Sequence, residues 1–279
     1  MGMIPAASPL PYSASSLSIP ISPPAMEQLE ISKHLSASGV IVMDMESGQS
    51  IYKKQAEVRR PMASLTKLMT AIIISEQHDM DEIVVIPNWA NSIEGNRIYL
   101  PEGDRMRVGD LLSGLLIASG NDVANILAVY HSGSVDFFVE EMNSRAQTLG
   151  LKSTSFANPS GLDDPVQWST PQDMAWLVMY ALGKQEISSR MKRRSQTVWT
   201  IEGKPISLVH THVMMHGDNA IIAGKTGTTI GAGQCLISVV EEESKSYLVV
   251  MLHSLDRYGD MKEILNIILP DKTVVADVS

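Results

Sequence analysis

The sequence predicts an α/β fold of the α+β kind: an antiparallel five-stranded sheet flanked by helices, with an all-helical subdomain inserted between its early and late strands. Three observations lead there. A strand hairpin comes first, a block of helical periodicity fills the middle, and three strand-like runs precede a closing helix. Residues 1–25 read as a flexible lead-in, rich in Pro, Ser and Ala and without Lys or Arg, so they lack the charged start of a secretory signal. From Met26 to Ser279 the chain reads as one domain, with the helical subdomain over about 88–185.

Taken in order, "GVIVMDMESGQSIYKK" is two strands around a turn at Glu46-Ser47-Gly48-Gln49. "SLTKLMTAIIISEQ" is apolar on nearly all faces, which predicts a buried helix. "EIVVI" and "DRMRV" are short extended pieces. Apolar residues three and four apart then predict helices in "VGDLLSGLLIA", "DVANILAVYHS" and "VDFFVEEMNSRAQTLG", the last ending at Gly150. "STPQDMAWLVMYAL" opens with Thr170 as N-cap and Pro171 at the first helical position. After a polar stretch come strands in "AIIAGKTGTT", "GQCLISVVEE" and "KSYLVVMLHS", and a helix in "YGDMKEILNIIL".

The totals restrict function. With 44% hydrophobic and 19% charged residues, the chain has the balance of a globular protein with a sizeable core. Its formal net charge of -9 argues against nucleic acid or an anionic membrane as partner, and the basic run Arg190 to Arg194 reads as a solvated face. No apolar run reaches the roughly 18 to 20 residues of a membrane span. Cys235 is the single cysteine, so there is no internal disulfide and no thiolate metal cage.

Residues 223–229, "AGKTGTT", resemble a phosphate loop, but a Walker motif requires glycine five positions before Gly224, where Asn219 stands. A strand-like run follows instead of a helix. The chemistry lies elsewhere. "MASLTK" places Ser64 and Lys67 three apart, on one face at a helix start, where a neutral amine can take the serine proton. Alone this spacing is also met by an N-cap serine beside a solvated lysine, and the chain holds a second copy at Ser189 and Lys192 that reads as chance. "ASGND" then supplies Ser119 and Asn121, and "GKTG" supplies Lys225, Thr226 and Gly227. Ser-x-x-Lys, Ser-x-Asn and Lys-Thr-Gly, in this order, are the three motifs of the penicillin-recognising serine enzymes.

With these motifs, and with "RPMASLTKLMTA", "LLSGLLIASGNDVANILA", "FVEEMNSRAQTLGLKSTSFANPSGLDD" and "STPQDMAWL", the chain resembles the low-molecular-mass penicillin-binding proteins, the serine D-alanyl-D-alanine carboxypeptidases of peptidase family S11. The resemblance implies a DD-peptidase/β-lactamase-like fold. It makes Ser64 the acylated nucleophile, Lys67 its general base, Ser119 the proton relay to the leaving amine and Asn121 the group orienting Lys67 and the substrate amide. Lys225 would keep Lys67 neutral, and Thr226 and Thr228 would hold the substrate carboxylate. Backbone N–H groups of Ser64 and Thr228 would form the oxyanion hole. Gly227 is expected to leave room for a substrate strand; Arg257 could add charge for the carboxylate, but reads rather as a surface arginine at a helix start.

The implied substrate is a peptidoglycan stem peptide ending in D-Ala-D-Ala, with β-lactams as covalent inhibitors, no cofactor and no metal, and a location outside the cytoplasmic membrane. His210, His212 and His216 have a ligand-like spacing but no supporting helical register. A class A β-lactamase is the rival within the motif class. Its Glu-x-x-Leu-Asn loop is missing, and "ANPSGLDDPVQW" stands in the corresponding region. A non-catalytic β-lactam sensor is the rival outside enzymes.

Overall fold

A computed structural model of the chain describes residues 35–217, 220–243 and 245–269. The lead-in expected over 1–25 and the tail "DKTVVADVS" lie outside the described residues. The first two strands, β1 (Gly39–Asp44) and β2 (Ser50–Lys54), form the expected hairpin. Asp44 shapes its turn: the carboxylate accepts from the N–H groups of Glu46 and Ser47, and Gly48 takes a φ of +68°. Three strands close the sheet from the other end of the chain, β7 (Ile221–Thr229), β8 (Gly233–Glu242) and β9 (Lys245–Ser254). All neighbours are antiparallel in the order β2-β1-β9-β8-β7, so β7 is an edge.

The nearly continuous apolar runs of β1, β8 and β9 are explained by burial on both faces. In β1, Ile41 and Met43 face the larger core while Val40 and Val42 face the smaller; in β9, Leu248, Val250 and Leu252 oppose Val249 and Met251. The closing helix α7 (Arg257–Ile268) covers the smaller core with Met261, Ile264 and Leu265. The larger core holds α1 (Lys67–Gln77), every residue of which from Lys67 to Ile74 is buried. A one-turn 3-10 segment, Ala63–Thr66, leads into α1.

Between β2 and β7 lie the two-stranded ribbon of β3 (Ile83–Val85) and β4 (Arg105–Arg107), and the helices α2 (Val108–Leu116), α3 (Asn121–Ser132), α4 (Val135–Thr148), α5 (Pro171–Leu182) and α6 (Gln185–Met191). Thr170 caps α5 as expected, its Oγ1 accepting from Asp173 N at 3.0 Å. One element was not anticipated. A second ribbon, β5 (Ser195–Trp199) with β6 (Pro205–Val209), occupies the polar stretch before β7. Only alternate residues are buried there, notably Val198 and Leu208, so its apolar signal is thin.

Candidate active site

The nucleophile candidate is held in a strained turn. Ala63 has φ +48°, a left-handed value unfavourable for a residue with a Cβ, and Ser64 follows inside the 3-10 segment. Its hydroxyl caps no helix, so the N-cap reading fails. Two glycines make the turn possible. A Cβ on Gly161 would lie 2.0 Å from the Ala63 carbonyl oxygen, and one on Gly227 would lie 2.7 Å from the Ser64 nitrogen. The expected reason for Gly227, room for a substrate strand, is therefore corrected: it lets β7 approach the backbone of Ser64 itself.

Lys67 Nζ lies 2.8 Å from Ser64 Oγ, 2.6 Å from Asn121 Oδ1 and 2.6 Å from the Ser160 carbonyl oxygen. Burial first, then the nearby Lys225 cation, pushes the amine well below its ordinary value, against a smaller opposing effect of Asp122. A neutral amine has two hydrogens and one lone pair. Asn121 Oδ1 and the Ser160 carbonyl can only accept, so they take both hydrogens, and the lone pair faces the Ser64 hydroxyl. Asn121 is fixed in turn, its Nδ2 donating to the Glu94 carbonyl at 2.8 Å.

The second half of the site comes from β7 and from the break between α2 and α3. Lys225, fully buried, donates to Ser119 Oγ at 2.7 Å and to the Thr226 carbonyl at 2.8 Å. Burial and the Arg257 charge lower its pKa to about 7. Ser119 has φ +61°, and its backbone carbonyl accepts from Asn96 Nδ2. Thr226 Oγ1 donates to Thr211 Oγ1 at 2.6 Å, and Thr228 is exposed near the end of the strand. The structure thus brings the five polar residues into one cluster of two hydrogen-bonded groups, Ser64–Lys67–Asn121 and Ser119–Lys225, near enough for the Lys225 charge to act on Lys67, with Thr226, Gly227 and Thr228 on its β7 side.

Arg257 is not the surface residue expected. Half-buried, it reaches across β8, donating through Nη1 to the carbonyls of Gly227 and Cys235, both at 3.0 Å, and through Nη2 to Thr228 Oγ1. The strand order β9-β8-β7 is what carries a residue after β9 to β7. Ser160 and Asp122 were also missed. Ser160 acts through a backbone oxygen, which side-chain spacing does not report; Asp122 is buried at the start of α3, accepting from the N–H groups of Ile98 and Tyr99.

Each histidine of "HTHVMMH" makes one local hydrogen bond through its ring, while His210 Nε2 and His212 Nδ1 are buried without a partner among the described residues. His212 Nε2 pairs with Ser238 Oγ at 2.8 Å, His210 Nδ1 accepts from His212 N, and His216 Nε2 donates to the His210 carbonyl. Burial lowers the first two to about 4 for His210 and about 3 for His212. In the loop that would carry a β-lactamase glutamate, the group meeting Lys67 is a carbonyl, not a carboxylate.

A buried lysine bonded to a serine in a tight turn, beside an antiparallel edge strand, defines the class of serine hydrolases that use an amine as proton acceptor. Within it the chain belongs to the D-alanyl-D-alanine carboxypeptidase family, peptidase S11, whose family model matches residues 25–254. It is 32% identical over 220 residues to the D-alanyl-D-alanine carboxypeptidase DacF of Bacillus subtilis, covering 77% of this chain and 57% of that protein. It is 31% identical over 253 residues to DacC of Escherichia coli, covering 82% of this chain and 59% of that one. The chain therefore spans less than two thirds of the length of these relatives. The crystal structure of the Streptomyces K15 DD-transpeptidase superposes with a TM-score of 0.79 at 26% identity, over 84% of this chain and 97% of the other. No helix among the described residues is long and apolar enough to cross a membrane.

Proposed function

We propose that this chain removes the terminal D-alanine from peptidoglycan stem peptides through an acyl-enzyme on Ser64. The observation that carries the reading is the three-contact environment of Lys67, which leaves the amine one way to react, by accepting the Ser64 proton. Ser64 Oγ attacks the carbonyl carbon of the D-Ala-D-Ala bond as its proton passes to Lys67 Nζ. The developing oxyanion is received by the N–H groups of Ser64 and Thr228, a contribution of roughly 3 to 4 kcal/mol for one such donor. Breaking of the C–N bond releases D-alanine, whose amine takes the proton held by Lys67, relayed through Ser119 Oγ beside Lys225, so that Lys67 is neutral again. Water then hydrolyses the ester.

Lys225, Thr226 and Thr228 form the cradle for the substrate's terminal carboxylate, and Arg257 adds charge while orienting the Thr228 hydroxyl. The activity is the one printed for the relatives; acylation by β-lactams and a place outside the cytoplasmic membrane, where stem peptides are found, belong to the same proposal. The test is D-alanine release from a D-Ala-D-Ala peptide, paired with intact mass after benzylpenicillin. One adduct is expected, lost in Ser64→Ala. An adduct without D-alanine release would make the protein a covalent sensor; rapid loss of the adduct with penicillin turnover would make it a β-lactamase.

A further inference from the structure

The site has three walls: the nucleophile turn Ala63–Ser64, the end of β7 from Gly227 to Thr229, and the loop 158–163. Two of the three joints between them are close backbone contacts, Gly161 against Ala63 and Gly227 against Ser64. The third is made by one side chain. Asp163 reaches from the loop to the strand end, accepting from Thr229 Oγ1 at 2.5 Å and from Gly231 N at 2.8 Å. Thr229 Oγ1 itself accepts from Ala232 N, so the carboxylate is tied to the whole turn after β7. Glycine at 231 leaves space for the approach, since a Cβ there would stand 3.0 Å from the carboxylate.

The loop end of this tie is rigid. Asn158 Oδ1 accepts from the N–H groups of Ser160, Gly161 and Leu162, at 3.2, 2.7 and 3.1 Å, and Thr70 Oγ1 donates to the Pro159 carbonyl. The same loop delivers the Ser160 carbonyl to Lys67. Asp163 thus links the segment that orients the proposed base to the segment whose Thr228 N–H, one residue before Thr229, faces the oxyanion.

The geometry points to Asp163 as a positioning residue that fixes the separation between the Ser64 and Thr228 N–H groups and so sets the rate of acylation. It rests on the proposed reading of those two groups as the oxyanion hole. Asp163 does not touch the reacting atoms, and its effect runs through Thr229 and Gly231. Because a hole that is misplaced is weakened but not removed, its loss is expected to slow acylation roughly 10- to 100-fold.

The full chain is tested with benzylpenicillin and with a D-Ala-D-Ala peptide. Asp163→Ala should lower the penicillin acylation rate constant and kcat by that factor, with KM and the penicillin dissociation constant within about threefold. Asp163→Asn should recover most of the rate, because its oxygen can accept from Gly231 N while its Nδ2 donates to Thr229 Oγ1. Recovery separates position from charge. Thr229→Val, which keeps the side-chain shape, should also slow acylation, and adding it to Asp163→Ala should cost little more.

Acylation by Asp163→Ala at the wild-type rate, a loss confined to KM, an Asn variant as slow as the Ala variant, or single losses that simply multiply would each overturn the inference. Should Asp163→Ala fail to fold, the Asn and Thr229→Val variants decide it on the same criteria. Wild-type protein that takes no adduct on Ser64 defeats the proposed function and this inference together. Normal wild-type acylation beside an equally fast Asp163→Ala variant defeats this inference alone.

Discussion

Two segments of the chain carry serine and lysine three residues apart, and they end in opposite circumstances. Lys67 is fully buried, with its amine 2.8 Å from Ser64 Oγ; Lys192 is exposed at the end of α6, and no hydrogen bond joins it to Ser189. Burial removes water from the first amine and makes its neutral form accessible, whereas the second is open to solvent. Spacing brings the groups onto one face, and desolvation with two accepting partners turns that proximity into chemistry.

The contrast is tested most severely by paired substitutions. Lys67→Arg should lower penicillin acylation about 1000-fold or more, because a guanidinium does not become neutral at working pH, while Lys192→Arg should leave it within twofold. Comparable losses in both would break the comparison.

The next effect is the pH profile. In kcat/KM for D-alanine release, the acid limb should report deprotonation of Lys67, and an alkaline limb should appear as Lys225 loses its proton near pH 7. A bound substrate carboxylate favours charged Lys225, so the alkaline limb of kcat should lie at higher pH. Stability carries the same signature. Lys225 titrates near 7 when folded and near 10.5 when unfolded, so between those values the unfolded chain binds more protons and stability rises with pH. The melting temperature of the wild type relative to Lys225→Met should therefore climb from pH 7 to 10, and a flat difference would contradict the burial of a neutral amine.

Smaller still, Arg257→Gln removes the tie to Thr228 and should slow D-alanine release about tenfold, read by steady-state kinetics. The smallest expected effect is that of Thr70→Val, which deletes the hydrogen bond to the Pro159 carbonyl and should cost about 1 kcal/mol in denaturant unfolding.

Much of this architecture was legible in the residues. Strands β1, β8 and β9 announced themselves because burial on both faces writes long apolar runs, and α5 because Thr170-Pro171 is a local capping signal. The five polar residues of the cluster were legible through motif order. What was hidden is what depends on the third dimension. The β5–β6 ribbon buries alternate residues only, Arg257 needed the strand order, and Ser160 contributes a carbonyl that every residue possesses. Gly227 was noticed for the right reason in general, closeness, but the neighbour it accommodates is the Ser64 backbone.

The left-handed conformation of Ser119 sets stability and chemistry against each other at one Cα. A φ of +61° is held by glycine at no steric cost, whereas a serine there is strained by about 1 kcal/mol or more. Ser119→Gly would therefore relax the backbone while removing the hydroxyl that meets Lys225. In a lineage released from the need for activity that relief would offset the partner lost by the buried Lys225 amine, so the exchange could drift in and leave the fold standing around a silent site.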